Sequence, residues 1–137
     1  MDRVQMGIEI AKLVVAIVGA IVVASYWNRV KDKLEKYQYL DESYNGILKT
    51  YFDNPQFGQP ELTAKYAEAF KDTEFWKYHY FSMRVHTFLE SIFDLSKGEI
   101  SDDWVHIYRH HASLHSAWLR DHRDLHETAY VEHVLGQ

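Results

Sequence analysis

The stretch Gly7–Trp27, GIEIAKLVVAIVGAIVVASYW, decides the fold. No charge falls between Lys12 and Asn28, and β-branched or small apolar residues fill nearly every place. As a helix, these 21 residues rise about 1.5 Å each and reach roughly 30 Å, the thickness of a bilayer's hydrocarbon core. The uncharged part is only 15 residues long. Lys12 therefore belongs at an interface, its stem stretched toward the headgroups, while Tyr26 and Trp27 mark the opposite interface. The stretch predicts a transmembrane helix over residues 7–27, preceded by a polar lead-in over 1–6.

Two other readings fit the same apolarity. A secretory leader has a comparable stretch, with Val22-Val23-Ala24 before Ser25 as a cleavage site. Glu9, however, interrupts what should be a purely basic flank, so the segment is expected to be retained. A buried helix of a soluble domain is also apolar all round. For the span, orientation follows from Arg29, Lys31, Lys33 and Lys36, which lie just after it. Retention of positive charge on the cytoplasmic side predicts an outside N-terminus and a cytoplasmic C-terminal domain at a cell membrane, with a bacterial inner membrane as the expected address.

Working outward, Ala16, Ala20 and Ala24 recur every four residues with Gly19 beside them, a spacing that lets a second helix approach. After Asn28 the pattern becomes amphipathic: Val30, Leu34, Tyr37, Tyr44, Leu48 and Tyr51 form a stripe that Leu40 and Ile47 widen. This predicts a juxtamembrane helix over 28–53, laid on its own domain or paired with a second copy. Asp53-Asn54-Pro55 stops it.

Residues 60–137 form the expected helical domain. Pro60 opens a helix from Glu61 to about Lys71, burying Leu62, Tyr66, Ala69 and Phe70. Asp72-Thr73 caps the next, which runs to about Leu95 with Phe81, Val85, Phe88, Leu89 and Ile92 on one face. Lys97-Gly98 ends it. Ser101-Asp102-Asp103 caps another, in which Trp104, Tyr108, His111, His115 and Trp118 share a face. That helix continues to Val134 or bends near Asp121. Few glycines and prolines and no strand pattern give an all-α protein: one transmembrane helix continuing into a bundle of about four helices.

Aromatics are 15% of the chain, and the formal charge is −5, which opposes nucleic-acid binding. There is no cysteine, so disulfides, thiolate catalysis and Cys-ligated metal centres are excluded. Trp76, Tyr78, Tyr80 and Phe81 fall within six residues, too many for one helix face, and are candidates for partner contact.

The nine histidines are the unusual feature, and seven of them follow Trp104. His106/His110, His111/His115 and His122/His126 have the four-residue spacing at which two imidazoles share a metal ion on a helix. His111 and His115, with His79, His86 and Glu90 from the preceding helix, are the candidate ligands for zinc or iron. The specific motifs are absent: no HExxH, no paired ExxH and no CxxCH. Inward histidines in an aromatic helix more often pack and hydrogen-bond, and no cofactor is the leading expectation. Imidazoles in this number also allow a pH response. Ser113, His115 and Asp121, or His122 and Asp124, lack any turn that would present a nucleophile.

A span, a basic juxtamembrane helix, FDNPQF, FLESIFDLSKGEISDDW and a Trp-Leu-Arg helix follow in this order. The arrangement resembles uncharacterised small bacterial single-span membrane proteins with a C-terminal helical domain. The likeness covers most of the chain and is carried by Asn54-Pro55, Phe88-Leu89-Glu90 and Gly98-Glu99-Ile100. It implies the architecture and no activity. The expected function is a non-enzymatic accessory or scaffold subunit whose partners are the bilayer and other membrane subunits or itself. The alternatives are a histidine-rich metal binder and an oligomerising signalling or defence effector.

Overall fold

The computed structural model describes residues 2–136 and is all-helical, with no strand among the described residues. The chain divides into two compact units, one up to Tyr39 and one from Leu40. The helix α1, Arg3–Asp53, supplies the first unit and the opening of the second. It is the one helix among the described residues long and apolar enough to cross a membrane.

Within the first unit the apolar side chains from Val4 to Trp27 are uncovered, and no part of the span window is buried. That is the reverse of a core helix, whose apolar surface would lie against its own chain. Lys12 Nζ meets Glu9 Oε1 at 3.0 Å, so the cation nearest the apolar stretch carries its own counter-charge. Lys31 and Glu35 approach at 3.8 Å, and Lys33 Nζ lies 5.8 Å from the centroid of the Tyr37 ring. Both are helical spacings of four.

The second unit starts with the last turns of α1. Leu40 and Ile47 are buried and Tyr44 and Tyr51 partly so, whereas Leu34, Tyr37 and Leu48 are exposed. The face that packs is thus 40–44–47–51, rotated from the stripe that the sequence suggests. Asn54 closes the helix, its backbone N and its Nδ2 both donating to Thr50 O, at 2.9 and 3.1 Å. A 3-10 turn at Pro55–Gly58 follows and buries Phe57.

The expected helix from Glu61 to Lys71 is two single turns, α2 (Pro60–Thr63) and α3 (Tyr66–Ala69), interrupted at Lys65 (φ −127°, ψ 41°). Nothing in the local sequence marks that break. Thr63, Tyr66 and Phe70 still turn inward. The long helix α4, Asp72–Leu95, buries Phe81, Val85, Phe88, Leu89 and Ile92 on one face, as its periodicity predicts.

Its start differs from the capping expected of Asp72-Thr73. Extended Lys71 is the cap residue, its carbonyl accepting from Glu74 N and Phe75 N, and Asp72 lies in the left-handed region at φ 52°. Asp72 acts there as an anion in the first turn, on the positive side of the helix dipole. At the far end Lys97 (φ 52°) and Gly98 (φ 84°) are both left-handed, and Gly98 N donates to Phe93 O at 3.0 Å. This is the glycine-terminated exit the sequence predicts.

The fourth expected helix is three. The first, α5 (Asp102–Leu114), begins at Ser101, whose carbonyl accepts from Trp104 N and Val105 N while its hydroxyl makes no capping bond. It is followed by α6 (Ser116–Asp121), a 3-10 turn at Arg123–Leu125, and α7 (Thr128–Leu135). Of the two alternatives, the bend near Asp121 is found, at His122 (φ −129°, ψ 38°), and an unexpected break precedes it at His115 (φ −109°, ψ 19°). The second break has a visible cause. His122 Nδ1 donates to Trp118 O at 2.8 Å, taking the acceptor a continuing helix needs, and its backbone N goes to Leu119 O instead.

Candidate functional site

Seven of the nine histidines gather in or beside the core of the second unit, and tyrosines meet most of them. The centre is His115, fully buried at the α5–α6 break. Tyr51 Oη lies 2.6 Å from His115 Nε2 and 2.9 Å from His111 Nδ1, and Tyr78 Oη lies 2.8 Å from His115 Nδ1. The result is a file, Tyr78–His115–Tyr51–His111, in which phenol and imidazole alternate.

A neutral imidazole has one donor and one acceptor nitrogen, and a phenol gives one hydrogen and accepts another. The file therefore has two self-consistent senses. In one, Tyr78 donates to His115, His115 to Tyr51, and Tyr51 to His111. In the other, all three bonds reverse.

His86 has no such freedom. Its Nε2 is 3.0 Å from the His115 carbonyl, which can only accept, so Nε2 carries the hydrogen and Nδ1 accepts from the Tyr130 hydroxyl at 2.7 Å. The indole of Trp118 lies near-parallel to the rings of His122 and His86, at 4.3 and 5.7 Å. Its Nε1–H donates to His79 Nδ1 at 3.2 Å. Tyr108 Oη and His133 Nδ1 pair at 2.9 Å.

Glu90 closes the far side. Its Oε2 accepts from His126 Nδ1 at 2.8 Å and its Oε1 from Glu127 N at 2.7 Å, which pins the residue that opens α7 to α4. The buried side-chain polar atoms without a partner among the described residues are Ser82 Oγ and His126 Nε2.

Burial sets the electrostatics. It lowers His86 and His111 to about 4 and holds His115 well below the usual imidazole value, with neighbouring histidines acting in the same direction. His79 is lowered by its burial and by His122. The hydroxyls of Tyr51, Tyr78, Tyr108 and Tyr130 are raised, first by burial. Tyr66 is raised by burial and by its 2.7 Å bond to Asp121 Oδ2. At neutral pH the file is uncharged, and each of its members is held by the others.

The candidate metal ligands do not converge. No group of three or more His, Asp or Glu placed to hold a metal ion occurs among the described residues. His111 and His115 are side by side, but Tyr51 lies between their nitrogens; His86 faces Tyr130, His79 faces Trp118, and Glu90 faces His126. Nor is a hydrolytic triad assembled: Ser113 is exposed, both nitrogens of His115 are engaged, and Asp121 accepts from Tyr66.

Of the aromatic cluster, Tyr78 and Phe81 are core residues and not surface for a partner, because α4 turns them inward against Phe57. Trp76 and Tyr80 stay outward at 55% and 62% exposure, with ring centroids 6.3 Å apart. The sequence singles out His111 and His115 but gives no pointer to Tyr51, 60 residues from His111 along the chain.

No protein-family model, curated protein or solved structure matches this chain.

Proposed function

We propose that the chain is a non-enzymatic, single-pass membrane protein serving as an accessory or scaffold subunit of a larger membrane assembly, with its helical domain in the cytoplasm. One observation carries the reading. The apolar stretch of α1 has no cover from its own chain, and an uncovered surface of that length is matched by lipid. Arg29, Lys31, Lys33 and Lys36 after it support the cytoplasmic placement of the helical domain.

Two further features favour a scaffold over an enzyme. The chemically versatile side chains are turned inward and hydrogen-bonded to one another, which rigidifies a fold more than it exposes a reactive group. Ala16, Gly19, Ala20 and Ala24 form an exposed small-residue seam, and a Cβ at Gly19 would meet nothing within 4 Å, leaving room for a neighbouring helix. Trp76 and Tyr80 offer a protein partner an aromatic contact on the helical domain.

Carbonate extraction followed by affinity purification from gently solubilised native membranes tests this. The chain should stay with the membrane and bring other membrane subunits, or further copies of itself that Ala20→Leu displaces. Release into the aqueous fraction, or recovery of the chain alone as a monomer, overturns the reading.

A further inference from the structure

The second unit carries a groove that the histidine file does not use. A cavity of about 530 Å³ opens between the α2 turn and the α5–α6 break. A neighbouring one of about 350 Å³ reaches the end of α7 at Val134 and Leu135. Both are lined by Arg109, Ser113, Ser116 and Arg120, so the same four side chains form the wall between them. The larger volume lies within the roughly 300–1,000 Å³ common for small-molecule clefts.

The polar lining is one-sided. Among the described residues it holds two guanidiniums, the hydroxyls of Thr63, Ser113 and Ser116, and His110, and no carboxylate. This occurs in a chain with 20 acidic against 15 Lys and Arg residues. Neither Arg109 nor Arg120 has an ion-pair or hydrogen-bond partner among the described residues. The acid next in sequence, Asp121, is occupied by the Tyr66 hydroxyl at 2.7 Å.

The break at His115 builds this wall. Arg109 and Ser113 stand four apart on α5, and Ser116 and Arg120 stand four apart on α6. Residues at that spacing lie one above the other on a helix face. His115, buried and outside this lining, lies between the two pairs in sequence.

We infer that this groove is a binding site for a phosphate-bearing anion, gripped by Arg109 and Arg120 with Ser113 and Ser116 as additional hydrogen-bond donors. Guanidinium forks match phosphate oxygens two at a time, and serine hydroxyls complete such shells. The phosphate comes either free, on a soluble metabolite, or on a lipid headgroup.

Titration of inorganic phosphate into the full chain tests this, with the protein in nanodiscs of galactolipid, which carries no phosphate, and side-chain and backbone NMR signals as the readout. Saturable shifts at Arg109, Ser113, Ser116 and Arg120 are expected, absent with chloride at matched ionic strength. Arg109→Gln with Arg120→Gln should weaken binding about tenfold or more while the core tryptophan signal of near-UV circular dichroism is unchanged. Ser113→Ala, a milder change at an exposed position, should weaken it less. The parallel arm replaces free phosphate by nanodiscs containing phosphatidylglycerol. The same shifts there, without added phosphate, assign the site to a headgroup, and shifts with free phosphate alone assign it to a soluble ligand. Shifts in neither arm, equal shifts with chloride, or undiminished binding by the double arginine variant overturn the proposal.

Discussion

At the scale of single residues, the hydroxyl of Tyr51 has the largest effect for its size. It lies within hydrogen-bond distance of two buried imidazoles, and removing it strands a nitrogen on each. Leaving a buried polar atom unsatisfied costs about 1–3 kcal/mol. Tyr51→Phe should therefore destabilise the helical domain by roughly 2–4 kcal/mol with no change in shape, as a lower Tm in near-UV circular dichroism. A variant as stable as the parent would show that the file is not a structural bond. Acid should act on the same atoms. His86 and His111 titrate at about 4 when folded against about 6.5 when exposed. The unfolded chain therefore binds more protons through that interval. Stability should be level from about pH 7 to 9 and fall as the pH drops toward 4, by about 3 kcal/mol for each of the two imidazoles. Denaturant titrations at stepped pH measure this; a stability independent of pH across the window would contradict the buried, neutral assignment.

At the scale of elements, Glu90 is the joint between α4 and the start of α7. Glu90→Ala should release Glu127 N and His126 together. Amide exchange should then quicken in Thr128–Leu135 by about tenfold or more, with little change at Phe81–Ile92. Uniform quickening of both would mean global destabilisation in place of a local release. These joints explain which elements could be read beforehand. The long face of α4 and the exit at Lys97-Gly98 were legible because they rest on local rules, apolar spacing and a left-handed residue. The break at His115 was not, and the one at His122 was legible only as one of two alternatives, a bend near Asp121. The His115 ring has its partners, Tyr51 and Tyr78, on distant elements, whereas the break at His122 rests on a local bond to the Trp118 carbonyl that competes with the helix. The candidate site divides the same way: inward-facing histidines followed from periodicity, whereas their tyrosine partners come from distant elements. That pairing also explains why a metal reading drawn from spacing finds no converging ligands.

At the scale of the whole molecule, the chain is two units, one with its apolar stretch uncovered and one with a buried core. The buried core draws no member from before Leu40, so the helical domain holds its own packing residues. A chain beginning near Leu40 should fold in water with the near-UV spectrum of the parent and a Tm within a few degrees. A molten far-UV-only signal would show that the apolar unit is needed for packing. The long apolar helix was legible from composition alone, because length and apolarity are all that mark it.

The file of phenols and imidazoles carries one last implication. A proton placed on its middle ring, His115, would make both of that ring's nitrogens donors. Tyr51 could answer by turning toward His111, but Tyr78 would lose the acceptor for its own hydrogen. A proton on His111 would instead make its Nδ1 a donor to Tyr51 and set the file in its reversed sense, in which Tyr78 likewise accepts. Only the neutral file lets Tyr78 donate, so a charge on either imidazole reaches the far phenol.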